Sequence, residues 1–332
     1  MSLLLIATGG TIASKVQPDG GVATALDGRE LLATVPDLDA SGVDVAGIDV
    51  MDLFQGPSWN LDLEAMSAIA RAARDASVDG VVITHGTDTL EETAYLTHLV
   101  AGAATTHKPI VVTGSMRNAG EANGDGAPNL RDAFAVARSR DAVRRGAVVV
   151  VNGEIHSARW ATKTDTQAVE TFRSPGHGPI GRVVAARVEF SEPAPSSQTA
   201  AAVDAGADVT DGPIAIVPSY GDVDPGLVDW HLDRSVRGVV IEGSGAGNVH
   251  SALVSGIEHA RDRDIPVVIT SRCLTGSVAP IYGGPGGGHS IAALGVVNGG
   301  DLSARKARLA LAVGLAVAPD RDLHRWFASL VG

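Results

Sequence analysis

What the sequence lacks narrows its chemistry first. One cysteine, Cys273, stands in 332 residues. No internal disulfide can form and no cysteine pair can hold a metal, a usage that fits a reducing compartment. Just past an apolar strand-like run, that thiol is expected to be buried rather than nucleophilic. Positive charge is scarce: 26 Lys and Arg face 38 Asp and Glu, a net charge of −12. No Lys/Arg cluster offsets it, so the surface repels phosphate backbones and no nucleic-acid partner is expected. Long hydrophobic runs are also missing. The longest stretch of apolar residues and glycine, Leu309 to Ala318, is well short of the roughly 20 residues that span a bilayer. The first apolar run, Leu3–Ala7, follows no charged segment and is too short for a signal-peptide core. A soluble, cytoplasmic protein without a membrane partner is expected. The histidines form neither an H-E-x-x-H motif nor a close cluster, and no G-x-S-x-G elbow occurs. Metal sites and an α/β-hydrolase serine are therefore not expected.

What is present suits a two-domain α/β protein. Apolar residues make up 45% of the chain, enough to build a core and to exclude wholesale disorder. Short apolar runs read as strands at Leu3–Ala7, Val43–Val50, Gly80–Ile83, Ile110–Thr113, Val148–Val151, Ile214–Val217, Val239–Ile241 and Val267–Ile269. Several are continuous rather than alternating, as in parallel strands buried on both faces. Between them lie helical patterns at Leu61–Ala76, Leu90–Val100, Leu130–Arg138, Val249–Arg263 and Ser303–Val317. Strand–helix alternation predicts right-handed crossovers. Asn152-Gly153 between apolar runs predicts a hairpin, so the sheet is not purely parallel. The Pro/Ser-rich segment from Glu192 reads as a linker. The expected division is 1–190, a linker at 191–212, and a second α/β domain at 213–332.

Ligands of open α/β sheets bind in the loops after the strands, and three of those loops carry hydroxyls. Leu3–Ala7 leads into Thr8-Gly9-Gly10-Thr11-Ile12, whose glycines allow a tight turn and close approach to a ligand. Gly80–Ile83 leads into Thr84-His85-Gly86-Thr87-Asp88-Thr89-Leu90-Glu91-Glu92. There Thr89 and Glu92 match a helix capping box, which leaves Thr87 and Asp88 without a structural role. Ile110–Thr113 leads into Gly114-Ser115-Met116-Arg117. Farther on, Lys163 lies among hydroxyls in Ala161-Thr162-Lys163-Thr164-Asp165. It is either a solvated surface lysine or a desolvated one with a lowered pKa, acting as base for a threonine. The loop Gly243-Ser244-Gly245-Ala246-Gly247-Asn248 follows a strand and is expected to open a helix; its G-x-G-x-G spacing is not that of a dinucleotide site.

Together these motifs resemble the L-asparaginase family of bacterial, threonine-dependent amidohydrolases over essentially the whole chain. Thr8-Gly9-Gly10-Thr11-Ile12 and Thr84-His85-Gly86-Thr87-Asp88-Thr89 match its two signatures. Gly114-Ser115-Met116-Arg117, Thr162-Lys163, Gly247-Asn248 and Lys306-Ala307-Arg308 support the match. The resemblance implies a larger N-terminal flavodoxin-like domain, a smaller C-terminal α/β domain, and cofactor-free hydrolysis of L-asparagine to L-aspartate and ammonia. It implies that Thr11 is the nucleophile, that Thr87, Asp88 and Lys163 form a second catalytic group, and that Ser58 holds the substrate α-carboxylate. Asp88 would also hold the α-ammonium, and Asn248 would reach the site from a neighbouring subunit of a dimer or a dimer of dimers (a homotetramer). The residue types alone do not choose between the threonines, or between threonine and water, as the attacking group. Two departures stand out. Asp19–Thr24 lacks the tyrosine common on the family's flexible loop, and Pro280-Ile281-Tyr282-Gly283 stands where many members carry a glutamate. Alternative readings are an asparaginase with substantial glutaminase activity, since one methylene is worth only about 1–3 kcal/mol of discrimination, and a non-catalytic amino-acid-binding protein on the same fold.

Overall fold

The structure is a computed structural model describing residues 1–35, 38, 45–102, 104–193, 209–317 and 322–330. The backbone clusters into two compact units, Met1–Ala202 and Val203–Gly332. Of the linker expected at 191–212, residues 194–208 lie outside the described residues.

In the first unit the strands are β1 (Leu3–Gly9), β2 (Ser14–Val16), β3 (Val22–Thr24), β4 (Ile48–Gly56), β5 (Gly80–Thr84), β6 (Ile110–Thr113), β7 (Ala147–Val151), β8 (Glu154–Ser157), β9 (Thr162–Lys163), β10 (Phe172–Arg173), β11 (Gly181–Val184) and β12 (Arg187–Phe190). The helices are α1 (Gly28–Ala33), α2 (Leu63–Asp75), α3 (Leu90–Val100) and α4 (Gly126–Arg138). Five parallel strands run in the order β4-β1-β5-β6-β7, the flavodoxin-like order. Leu5, Ile6, Val82, Ile83, Val111 and Val112 are fully buried, so their continuous apolar runs reflect burial on both faces. The sheet continues antiparallel through β8, β11 and β12. Its first reversal is the Asn152-Gly153 turn, with φ of 50° and 71°, the pair of positive φ values that a two-residue hairpin requires.

Two local expectations fail. The strand expected at Val43–Val50 begins at Ile48 and runs to Gly56, after a 3₁₀ turn over Val45–Gly47; residues 43 and 44 lie outside the described residues. As a sheet-edge strand it buries one face only, and its polar Asp49, Asp52 and Gln55 hide its length from an apolar-run search. The capping box at Thr89 and Glu92 does not form: Thr89 makes no side-chain cap bond at φ −122°, ψ 15°. That backbone is outside the extended region used by capping residues, and the Thr89 hydroxyl instead donates to the Ser58 carbonyl at 2.8 Å. The capping box that does form is Asp27 with Glu30, on α1.

The second unit has a four-stranded parallel sheet in the order β13 (Ile214–Pro218), β14 (Gly238–Gly243), β15 (Val267–Ser271), β16 (Val297–Asn298). Around it lie α5 (Leu227–Leu232), α6 (Val254–Asp262), α7 (Gly288–Ala292), α8 (Ala304–Val317) and α9 (Leu323–Leu330). Val217, Val239, Ile241, Leu253 and Ile257 form the centre of its core.

Candidate active site

The flavodoxin-like strand order reverses direction at β1, and the crevice at that switch point is where such sheets bind ligands. The loops after β1 and β5 meet there through glycine. A Cβ on Gly10, whose φ is +81°, would lie 2.3 Å from the Gly86 backbone; one on Gly86 would lie 2.7 Å from Ser58 Oγ. The glycines therefore let two protein backbones approach each other, and both Gly10 and Gly86 also line the cavity beside them. This contact draws the segments bearing Thr11, Ser58 and Thr87 together.

The hydroxyls of these loops divide into two groups. Thr8 Oγ1 donates to Thr84 O, and Thr113 Oγ1 donates to Val150 O, both at 2.7 Å; these tie neighbouring strands. Thr11 and Thr87 instead line a cavity of about 650 Å³, together with Ser58 and Asp88. Ser58, 2% exposed, opens a 3₁₀ turn after β4. Lys163 comes from β9, outside the main sheet. Its Nζ donates to Thr87 Oγ1 at 2.8 Å and to Asp88 Oδ1 at 2.7 Å. The lysine side chain is only 18% exposed, so it is not a freely solvated surface lysine. A hydroxyl, an amine and a carboxylate in one contiguous hydrogen-bonded chain can pass a proton to and from a reacting group.

Next to this chain, His85 is fully buried, with Nδ1 2.7 Å from the Gly86 carbonyl. Burial pushes its pKa down to about 4, so its ring is neutral at pH 7. Several cavity residues escaped the sequence reading: Gln55, Trp59, Asn118 and Glu121, with Val22 and Thr24 of the β2–β3 hairpin. Trp59 is 68% exposed. The Asn118–Glu121 pair had a legible signal, an Asn with a carboxylate three residues on: Asn118 Nδ2 donates to Glu121 Oε1 at 2.6 Å. Glu91 was also missed, and only Glu92 of that pair was given a role. Glu91 is 3% exposed; its Oε2 accepts from Thr162 Oγ1 at 2.5 Å and from Lys163 N at 2.7 Å.

Asn248 belongs to the second unit and does not open a helix there. It closes a bridge with Ser244, its Oδ1 accepts from Gly288 N at 3.0 Å, and the helical segment starts only at Ser251. Gly245 and Gly247, at φ of 53° and 96°, turn the chain back on itself before a helix can begin. Cys273 is exposed rather than buried, because β15 ends at Ser271 and the thiol falls in the loop beyond it. Tyr282 is exposed as well.

Fold and cavity together define a doubly wound α/β enzyme whose site brings together hydroxyls, carboxylates, side-chain amides and a lysine amine. Residues 2–196 match the family model described as Asparaginase, N-terminal, and residues 213–327 match that of the Glutaminase/Asparaginase C-terminal domain. The chain is 35% identical to the L-asparaginase of Bacillus licheniformis, covering 94% of each sequence. It is 36% identical to a probable L-asparaginase of Deinococcus radiodurans, covering 98% of this chain and 96% of that one. Its fold matches the crystal structure of a probable cytoplasmic L-asparaginase from Campylobacter jejuni with a TM-score of 0.86, at 30% identity and 99% coverage of both chains. The chain belongs to the L-asparaginase family and is an amidohydrolase.

Proposed function

We propose that this protein hydrolyses the side-chain amide of L-asparagine to L-aspartate and ammonia, without a cofactor, in the cavity beside β1 and β5. The observation that carries the reading is the contact of Lys163 Nζ with both Thr87 Oγ1 and Asp88 Oδ1, at a cavity that also presents Thr11 and Ser58. Ser58 holds the α-carboxylate of the substrate and Asp88 its α-ammonium. Thr11 Oγ1 attacks the amide carbon, and its proton is taken up by the Thr87–Lys163–Asp88 group. Returned to the leaving nitrogen, that proton lets ammonia depart and leaves an ester on Thr11. Water then attacks the ester, gives its proton to the same group, and releases aspartate as the threonine is regenerated.

The catalytic domain is residues 1–190, joined by a 191–212 linker to residues 213–332. The working form is a homo-oligomer, a dimer or a dimer of dimers, in which Asn248 completes a neighbouring subunit's site. We place it in the cytoplasm; the single cysteine and the named location of the Campylobacter jejuni protein support this. Among the described residues, no helix is long and apolar enough to cross a membrane. Glutamine is a second substrate under this reading. A cavity of about 650 Å³ sets no size limit against one more methylene, itself worth only about 1–3 kcal/mol.

Ammonia release from L-asparagine and L-glutamine by the purified protein, with and without EDTA, tests the proposal. Turnover unaffected by chelator is expected, with Thr11→Ala, Thr87→Val and Lys163→Met each losing about 10²–10⁴-fold. Background ammonia from both substrates between about pH 6 and 9, where a tuned base operates, refutes the enzymatic reading. A Lys163→Met protein with wild-type turnover refutes the proton-relay assignment alone.

A further inference from the structure

We infer that Glu91 is a positioning residue that fixes Lys163 against Thr87 and Asp88. The inference rests on the proposed role of Lys163. That lysine needs an anchor. Its strand is two residues long and, among the described residues, pairs only with β10, in a two-stranded sheet separate from the eight-stranded one. A four-carbon stem on such a support carries much rotamer freedom. The Nζ contacts at 2.7 and 2.8 Å therefore depend on where the lysine backbone is held.

Glu91 supplies that hold. It lies in the first turn of α3, three residues past Asp88, and is buried. One oxygen, Oε2, accepts both the Thr162 hydroxyl and the Lys163 backbone N–H. Lys163 is thus gripped at both ends by two carboxylates of one short segment: Asp88 takes the ammonium end and Glu91 the backbone end. Since Thr87 precedes the same helix, the distance from hydroxyl to amine is set within the five consecutive residues Thr87–Glu91 plus one charge-assisted contact. The carboxylate's burial is offset by these two donors and by the helix N-terminus, where negative charge is favoured. Glutamine at this position keeps the size and loses the charge. Its amide can also turn a donor toward the donors it should accept.

The test reads positioning in two ways. In the first, Glu91→Gln, Lys163→Met and the double variant are assayed for asparagine hydrolysis. Glu91→Gln should lower kcat by about 10²-fold, the scale of a misplacement of about 1 Å, with KM little changed. Added to Lys163→Met, it should cost almost nothing further, because it acts through the lysine. In the second, brief acetylation with acetic anhydride is followed by peptide mass spectrometry. Lys163 should label several-fold faster, relative to the exposed Lys15, in Glu91→Gln than in wild type. An equal kcat loss with and without Lys163, or an unchanged labelling ratio, overturns the inference. If wild type itself releases no ammonia, the proposed function fails, and the labelling ratio alone decides the role of Glu91. If Glu91→Gln does not fold, Thr162→Val removes one of the two donors, and the same two readouts decide.

Discussion

His85 makes this protein acid-sensitive by an amount that can be worked out. Its Nδ1 lies 2.7 Å from the Gly86 carbonyl. A carbonyl only accepts, so Nδ1 carries the proton and Nε2 carries the lone pair. Nε2 is buried without a hydrogen-bond partner, and a second proton there would place an unpaired charge in the interior. That burial lowers the pKa from 6.5 to about 4. In the window between those values the unfolded chain binds more protons than the folded one. Stability is therefore intact above pH 6.5 and falls as pH drops toward 4. At about 1.4 kcal/mol per pH unit the whole gap is worth about 3 kcal/mol, of which about 2 kcal/mol is gone by pH 5. In His85→Asn the side-chain NH₂ stands near the position of Nδ1 and keeps the bond to Gly86, but nothing titrates. The variant is less stable at pH 7.5 for lack of the ring. Urea unfolding followed by circular dichroism should show that deficit shrinking by about 2 kcal/mol at pH 5. His156 and His231, whose pKa values burial also lowers, titrate in both proteins and cancel. Parallel stability–pH curves for the two proteins would refute the argument.

Two further outcomes follow from the site. In Gly86→Ala the new Cβ would meet Ser58 Oγ and Cβ at 2.7 and 2.8 Å. Overpacking of about 1–3 kcal/mol should displace Ser58 and raise KM for asparagine about tenfold or more; adding Ser58→Gly should restore the melting temperature but not KM, and an unchanged KM would exclude Ser58 from substrate binding. Co-expressed Thr87→Val and Asn248→Ala subunits, each inactive alone, should regain about a quarter of wild-type activity, since random two-fold pairing makes half the pairs mixed and each mixed pair holds one intact site; no recovery in confirmed mixed oligomers would confine Asn248 to its own subunit.

What could be read in the sequence, and what could not, divides along a physical line. Buried parallel strands were legible because burial on both faces leaves continuous apolar runs, and Ile110–Thr113 and Leu90–Val100 coincide with β6 and α3 residue for residue. The antiparallel extension was not, apart from its Asn152-Gly153 turn. Strands β11 and β12 are four residues each with at most alternate burial, too short for a period-2 signal to stand out. At the site, the motifs supplied Thr11, Ser58, Thr87 and Asp88 of the cavity, because hydroxyls and a carboxylate in short loops after strands stand out, and they missed Gln55, Trp59, Asn118 and Glu121. The residues that hold these in place act on the backbone of remote segments. Thr89 donates to a carbonyl 31 positions earlier, and Glu91 accepts from an N–H 72 positions later. Nothing local marks either, and Thr89 carried a competing local explanation as a helix cap. Both lie at the start of α3, on either side of Leu90, and between them they tie the Ser58 turn and the Lys163 strand to the segment bearing Thr87 and Asp88. A capping threonine would have satisfied one helix end; this one spends its hydroxyl on Ser58. The helix start that looked self-contained in sequence is where the Ser58 turn and the lysine strand are joined.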